Sequence, residues 1–251
     1  MRPRTLLLIG VGTFVLVLCA NVPAAWVVKR LPPAVQFVNP SGSLFSGAAD
    51  GLVAGGQSLG PLEWRFRPFA LLTLGLGFHV TLPGPALHVE GDVSLRPLGR
   101  VTLSDLKADG PLEALVALTG AGGLPQASGS VVLKVGQATL VHGWPVALSG
   151  TLAVNDLKVA LSPARLGSYE LVFDAASAKR APAGGLAGRV HDTTAPLALD
   201  AALSLAKDRT YRLDGTLGSR PTTPADLLPV LDMLAPADAA GRRPFSIGGA
   251  L

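Results

Sequence analysis

Four histidines, His79, His88, His142 and His191, and one cysteine, Cys19, carry the readiest metal and acid–base chemistry in this 251-residue chain. No histidines stand at H-x-x-H or H-E-x-x-H spacing, so a metal site would have to assemble over long range without thiolates. Cys19 sits inside an apolar run and is the sole thiol, which removes disulfides from the body of the chain. Gly42-Ser43-Leu44-Phe45-Ser46-Gly47 has the length of a phosphate-loop opening. It lacks the Lys-Ser/Thr pair that grips phosphate and metal. Ser46 has no G-x-S-x-G around it and no neighbouring base to activate it. Gly10-Val11-Gly12 falls within the apolar run, so its likeness to a dinucleotide fingerprint carries no weight. The residues therefore point away from an enzyme and call for no cofactor or metal; the histidines read as single residues on loops and strand faces.

A second stretch, Leu59-Gly60-Pro61-Leu62-Glu63-Trp64-Arg65-Phe66-Arg67-Pro68, combines turn-formers with an alternating tract. On a strand, Trp64 and Phe66 face inward and Arg65 and Arg67 face outward. The outward arginines are candidate contacts for a partner protein or for lipid headgroups.

The elements that position these residues are read from composition and periodicity. Thirty glycines and 21 prolines are too many for a helical bundle and suit the turns of an all-β chain. An apolar-x-Gly-x-apolar unit recurs at Val89–Val93, Leu148–Leu152, Leu186–Val190, Leu213–Leu217 and Ile247–Leu251, with a weaker copy at Ala127–Val131. The central glycine shares a face with its flanking apolar residues, as suits a bend, a bulge or a close approach of backbone. Gly215 and Gly249 are the two such positions singled out as structural. Tyr169, Leu171 and Phe173, and Leu197 through Leu205, alternate with period two, as half-buried antiparallel strands do. Leu74 to Gly91, broken by Pro83-Gly84-Pro85, reads as a hairpin. Helices are expected at Pro111–Leu118 and at Thr223–Leu234, the latter capped by Thr223, opened by Pro224 and interrupted at Pro229. A flexible loop is expected from Lys179 to Thr194.

Charge excludes one class of partner. Four of the 21 basic residues, Arg2, Arg4, Lys29 and Arg30, bracket the apolar run, and the remaining 17 equal the 17 acidic residues in number. The body is neutral and has no electrostatic footprint for nucleic acid. The run itself, Thr5 to Val28, holds 24 uncharged residues, enough to cross a bilayer core of ~30 Å as a helix. No clean signal-peptidase site occurs near Cys19–Ala25, and Leu18 precedes Cys19 where lipoprotein processing needs a small residue. An uncleaved anchor is expected, with Trp26, Lys29 and Arg30 at the interface. Two basic residues on each side leave orientation undecided by charge. The expected layout is residues 1–4 as an N-terminal tail, 5–28 as anchor, 29–40 as connector and first strand, and 41–251 as a β-rich domain.

A short basic N-terminus, one span, G-S-L-F-S-G at Gly42–Gly47, L-G-P-L-x-W-R-F-R-P at Leu59–Pro68 and F-x-I-x-G-x-L at Phe245–Leu251 together resemble the type II secretion system protein N family. The family pattern usually reads G-T/S-L-W-S-G, so Phe45 stands where Trp is commoner. The resemblance covers the whole chain. It implies a cytoplasmic N-terminus, a single pass through the inner membrane and a periplasmic body. The expected fold is a curved antiparallel sheet, an AsmA-like groove or open barrel with few short helices. The implied function is a non-enzymatic accessory role in exporting folded proteins across the outer membrane, with other secretion components as partners. Its motif residues fall on Gly42, Ser43, Leu44, Phe45, Ser46, Gly47, Gly60, Pro61, Trp64, Arg65, Arg67 and Pro68. Likeness in style to AsmA-like proteins supplies the alternative, a protein that contacts or transfers lipid in envelope maintenance. An apolar sheet face left open would favour lipid, and a closed barrel would count against it.

Overall fold

The computed structural model describes residues 35–54, 57–73, 75–84, 87–114, 127–159, 162–174, 181, 185–232, 234–239 and 241–250. The expected anchor, 5–28, and residues 29–34 of the connector and first strand lie outside these. Among the described residues no helix is long and apolar enough to cross a membrane.

The strands are β1 (Val35–Val38), β2 (Ser41–Gly42), β3 (Ser46–Ala54), β4 (Gln57–Arg67), β5 (Leu76–Pro83), β6 (His88–Arg96) and β7 (Arg100–Pro111). They continue as β8 (Ala127–Val141), β9 (Trp144–Val159), β10 (Ser162–Phe173), β11 (Leu186–Thr194), β12 (Leu197–Leu205), β13 (Thr210–Ser219) and β14 (Arg242–Ala250). All 14 belong to one sheet, in which β1 pairs with β3 and every strand from β3 onward pairs with its successor, while β2 also pairs with β3. Every pairing is antiparallel, and among the described residues β14 does not pair with β1. The fold is thus an open meander, mainly β with few helices, rather than a closed barrel.

Turn chemistry drives the meander. His142 and Gly143, at φ 50° and 78°, form the two-residue loop between Val141 and its partner Trp144. Left-handed geometry at both positions matches the twist of the flanking strands, and this explains one of the four histidines as a turn residue. Asp105 and Asp156, both at φ 51°, sit where the β6–β7 and β9–β10 registers slip. Each precedes Leu-Lys in the sequence, so the same Asp-Leu-Lys unit builds a bulge twice.

The registers sort side chains onto two faces. Leu82, Val89, Ala108, Leu133, Leu152, Leu171, Val190, Ala201, Gly215 and Phe245 are successive cross-strand partners from β5 to β14. No polar side chain interrupts that row, which at ~4.8 Å per strand follows a contour of about 43 Å. One residue along, Glu90, Lys107, Lys134 and Thr151 succeed one another on the opposite face. The apolar face is where the recurring glycines lie. A Cβ on Gly91 would come 2.8 Å from Leu106, on Gly150 2.4 Å from the Lys134 carbonyl oxygen, and on Gly188 2.9 Å from Leu171 and Phe173. Neighbouring strands close up on this side where the side chain is missing.

Only parts of that face are covered. Ala49, Leu62 and Leu82 form one small core with Phe37, Trp64, Val80 and Val89 against it. Leu197, Leu227 and Leu231 form another, packed by Leu166, Leu217 and Leu234. Between them Leu133, Leu152, Leu171 and Val190 are half-buried, and no large side chain among the described residues is fully enclosed.

Three expectations need correction or trimming. The Lys179–Thr194 loop is wrong from Leu186 onward, where β11 lies in the sheet; the apolar-Gly-apolar unit around Gly188 outweighs the flanking Ala, Gly and Pro. At Pro111 the chain is still strand, and only Leu112–Ala114 of the predicted helix are described as helical; 115–118 lie outside the described residues. The Thr223–Leu234 segment is a 3-10 turn, Ala225–Leu227, followed by a short helix, Leu228–Asp232, a break consistent with Pro229. Pro224 rather than Thr223 holds the N-cap, without a side-chain hydrogen bond. Thr223 instead donates its hydroxyl to the Pro196 carbonyl at 2.6 Å and accepts the Arg220 N–H at 2.7 Å.

Candidate functional site

The two motif stretches meet in space. Ser41 and Gly42 pair with Ala48 and Gly47, folding Gly42–Gly47 into a tight hairpin between β2 and β3. Gly42, at φ 83°, lies where a Cβ would fall 2.6 Å from the Ser46 carbonyl oxygen, so only glycine fits. The Ser43 N–H donates to the Ser46 carbonyl at 2.9 Å and the Ser46 N–H donates back to Ser43 Oγ at 3.2 Å. Leu44 is half-buried at the tip.

β4 clamps this hairpin from the apolar face. Trp64 donates its indole N–H to the Ser43 carbonyl at 3.2 Å and lies over Gly47. Phe45 meets Phe66 edge-on at 4.7 Å, Phe66 meets Phe78 at 5.6 Å and Phe37 meets Trp64 at 6.2 Å. Edge-to-face aromatic pairs at these separations stabilise beyond the area they bury. Gly60, at φ 99°, allows the irregular β3–β4 pairing ahead of Pro61, and Pro68 ends β4 by opening the 3-10 turn Pro68–Thr73. The expected alternation holds: Trp64 and Phe66 are half-buried while Arg65 and Arg67 are exposed.

On the polar face the two arginines part company. Arg67 pairs with Asp92, whose other oxygen lies 2.8 Å from His79 Nδ1, and His79 Nε2 lies 3.5 Å from Glu90. Arg65, opposite His79 in the register, makes no ion pair among the described residues. It lines an open hollow of about 490 Å³ with Ser41, Ser46, Glu63, His79 and Thr81. The geometry offers a cationic fork and hydroxyls beside a tight turn, and among the described residues no serine or threonine hydroxyl is hydrogen-bonded to His79.

Gly215 and Gly249 sit far from the hairpin, on β13 and β14. A Cβ on Gly215 would meet Ala201 Cβ at 2.4 Å, and one on Gly249 would meet the Tyr211 ring at 2.9 Å. They are backbone-approach positions, unconnected to the polar hollow.

A second polar cluster had no signal in local sequence spacing. Asp192 accepts Arg220 Nη2 at 2.5 Å and the Leu199 N–H at 2.8 Å, and Arg220 Nη1 donates to the Ala195 carbonyl at 2.8 Å. This fixes the end of β11 to the segment that carries the short helix over Leu197. Tyr169, beside it, donates its hydroxyl to the Leu166 carbonyl at 2.8 Å. Burial, and then the charge of Asp192, push its phenol up to about 12. Nearby, Arg189 grips both oxygens of Asp200 at 3.0 and 2.7 Å, which holds that carboxyl below its usual range. Of the remaining histidines, His191 lies 3.5 Å from Glu170 and His88 is exposed at the start of β6. Among the described residues no group of three or more His, Cys, Asp or Glu could hold a metal ion.

No curated protein and no solved structure matches the chain. A family model described as "Type II secretion system (T2SS), protein N" matches residues 33–246, from just before β1 into β14. That span takes in both motif stretches and nearly the whole sheet, and on it the chain belongs to the type II secretion system protein N family.

Proposed function

We propose that the chain is a non-enzymatic accessory component of the type II secretion system, held in the inner membrane by residues 5–28 with its sheet in the periplasm. The observation that carries this reading is the family match over residues 33–246, which makes an accessory role in type II secretion the family-level function. The motif hairpin supports it physically. It is fixed at one edge of the sheet by aromatic packing, just after the segment read as the anchor. Arg65, exposed and outside any ion pair among the described residues, is the side chain offered to another secretion component. Arg67, neutralised by Asp92, holds the cluster in shape.

Secretion is the direct test. Removing the chain should leave folded substrates in the periplasm, and Arg65→Glu should reproduce part of that defect at normal protein level. Normal export after complete removal would overturn the proposal.

The alternative, an AsmA-like protein that contacts lipid, is favoured by one observation: the uninterrupted apolar row from Leu82 to Phe245, half-buried in its middle. A continuous apolar row of this kind is what a lipid-contacting face would present. Lipid retained stoichiometrically on the purified chain would favour this reading, and its absence would count against it.

A further inference from the structure

We propose that β14 is a self-pairing edge, through which two copies of the chain join their sheets antiparallel about a two-fold axis at Ser246. The two ends of the sheet differ. β1 is four residues long, whereas β14 runs for nine, Arg242 to Ala250, and among the described residues pairs on one side only. A row of backbone N–H and C=O groups on such an edge is satisfied either by water or by another extended strand. Edges are usually blunted by charge and proline. Here Arg242, Arg243 and Pro244 crowd one end and leave Phe245 to Ala250 uncharged.

That asymmetry makes the strand complementary to itself. Ser246 is its middle residue, so an antiparallel copy stays in register with it, the new ladder running inside Arg242, whose N–H and C=O are already bonded to Asp238. Phe245 then faces Ile247 of the second copy, an aromatic opposite a β-branched residue, twice over. Arg242 and Arg243 face Ala250 and Gly249, so no like charges meet. A parallel pairing would instead set the arginines against each other.

The apolar rows also meet across the axis. Phe245 is the partner of Gly215 and Ile247 of Leu213, so both lie on the apolar face. Ile247 is 52% exposed, unusual for a residue ending such a row. Pairing covers it and makes one continuous apolar face from two sheets. The inference goes beyond the secretion role and does not depend on it: a monomeric chain that still supports export would refute this pairing alone.

Two Ser246 Cα atoms facing across an antiparallel pair would be about 4.5–5.5 Å apart, within disulfide reach. The test is oxidation of the full chain in its membrane, with Cys19→Ser removing the native thiol and Ser246→Cys supplying the probe. Ser204→Cys, on the interior strand β12, is the control. The expected result is conversion of most of the Ser246→Cys chain to a covalent homodimer, little dimer from the control, and loss of the dimer when Ile247→Lys is added. Ser246→Cys cross-linking no better than the control, or cross-linking to a different protein instead, would overturn the proposal.

Discussion

The indole of Trp64 occupies the space where Gly47 lacks a side chain: a Cβ on Gly47 would fall 2.4 Å from Trp64 Cζ2 and 2.5 Å from the Ser41 carbonyl oxygen. Rotating the tryptophan cannot relieve the second contact, because that atom is backbone. Gly47→Val should therefore destabilise by about 1–3 kcal/mol through overpacking. Thermal unfolding should register a drop of about 2–4 °C per kcal/mol for a chain of this size. An unchanged midpoint would mean that the hairpin is not clamped as described.

Gly215 and Gly136 make a matched pair. A Cβ on Gly215 would meet Ala201 Cβ at 2.4 Å and the Asp200 carbonyl oxygen at 2.6 Å, while one on Gly136 finds nothing closer than 3.7 Å. Gly215→Leu should lower both unfolding temperature and abundance. Gly136→Ala should be neutral or stabilise by up to about 1 kcal/mol, since it restricts the unfolded chain without a clash. Equal effects at both sites would refute the close-approach account of the recurring glycines.

Two aspartates in ion pairs should behave differently because burial differs. The Asp192 side chain is 10% exposed and that of Asp200 is 42% exposed. Asp192→Ala leaves the Leu199 amide and the Arg220 guanidinium without their acceptor and should cost about 2–3 kcal/mol. Asp200→Ala removes a solvent-screened pair and should leave the denaturant midpoint close to that of the parent. Chemical unfolding of the two variants side by side distinguishes them.

Tyr169 supplies a pH prediction. Its phenol titrates at about 12 in the folded protein against a reference value of 10.0, raised first by burial. The folded state holds the proton more tightly than the unfolded chain. The associated stability is intact below pH ~10 and falls as pH rises toward about 12. Ultraviolet titration of phenolate should find one of the two tyrosines ionising near 12, and Tyr169→Phe should remove that step. A Tyr169 that titrates near pH 10 with the fold intact would contradict the burial described.

Period and glycine spacing carried much of this architecture in plain view. Leu197 through Leu205 alternate in the sequence as they do in β12, and Leu171 and Phe173 face the side their spacing implies. The glycine units were legible because a missing side chain at the centre of a strand pattern has few other uses. Less legible were features made by distance in sequence. Asp192 and Arg220 are 28 residues apart and meet only because β12 and β13 intervene, so no local motif announces them. The Asp-Leu-Lys repeat was visible, at Asp105 and Asp156, but its meaning lies in a backbone state rather than in its chemistry. The same holds for Arg65 and Arg67, identical in the sequence and separated in role by Asp92 on β6.

The four histidines test the non-enzymatic reading. His142 forms a turn, His79 and His191 stand by carboxylates and His88 is exposed. Alanine at any one of them should leave secretion intact at normal protein level. A large secretion defect from a single replacement would point to chemistry that the proposal denies.

The central claim is that this sheet works within the secretion machinery. Affinity purification of the full chain from membranes, with mass spectrometry of both proteins and lipids, tests it most directly. Other type II secretion components should co-purify with the chain, and Arg65→Glu should reduce their recovery. A chain recovered with lipid alone, and with no secretion component under conditions that keep the machinery assembled, would contradict it.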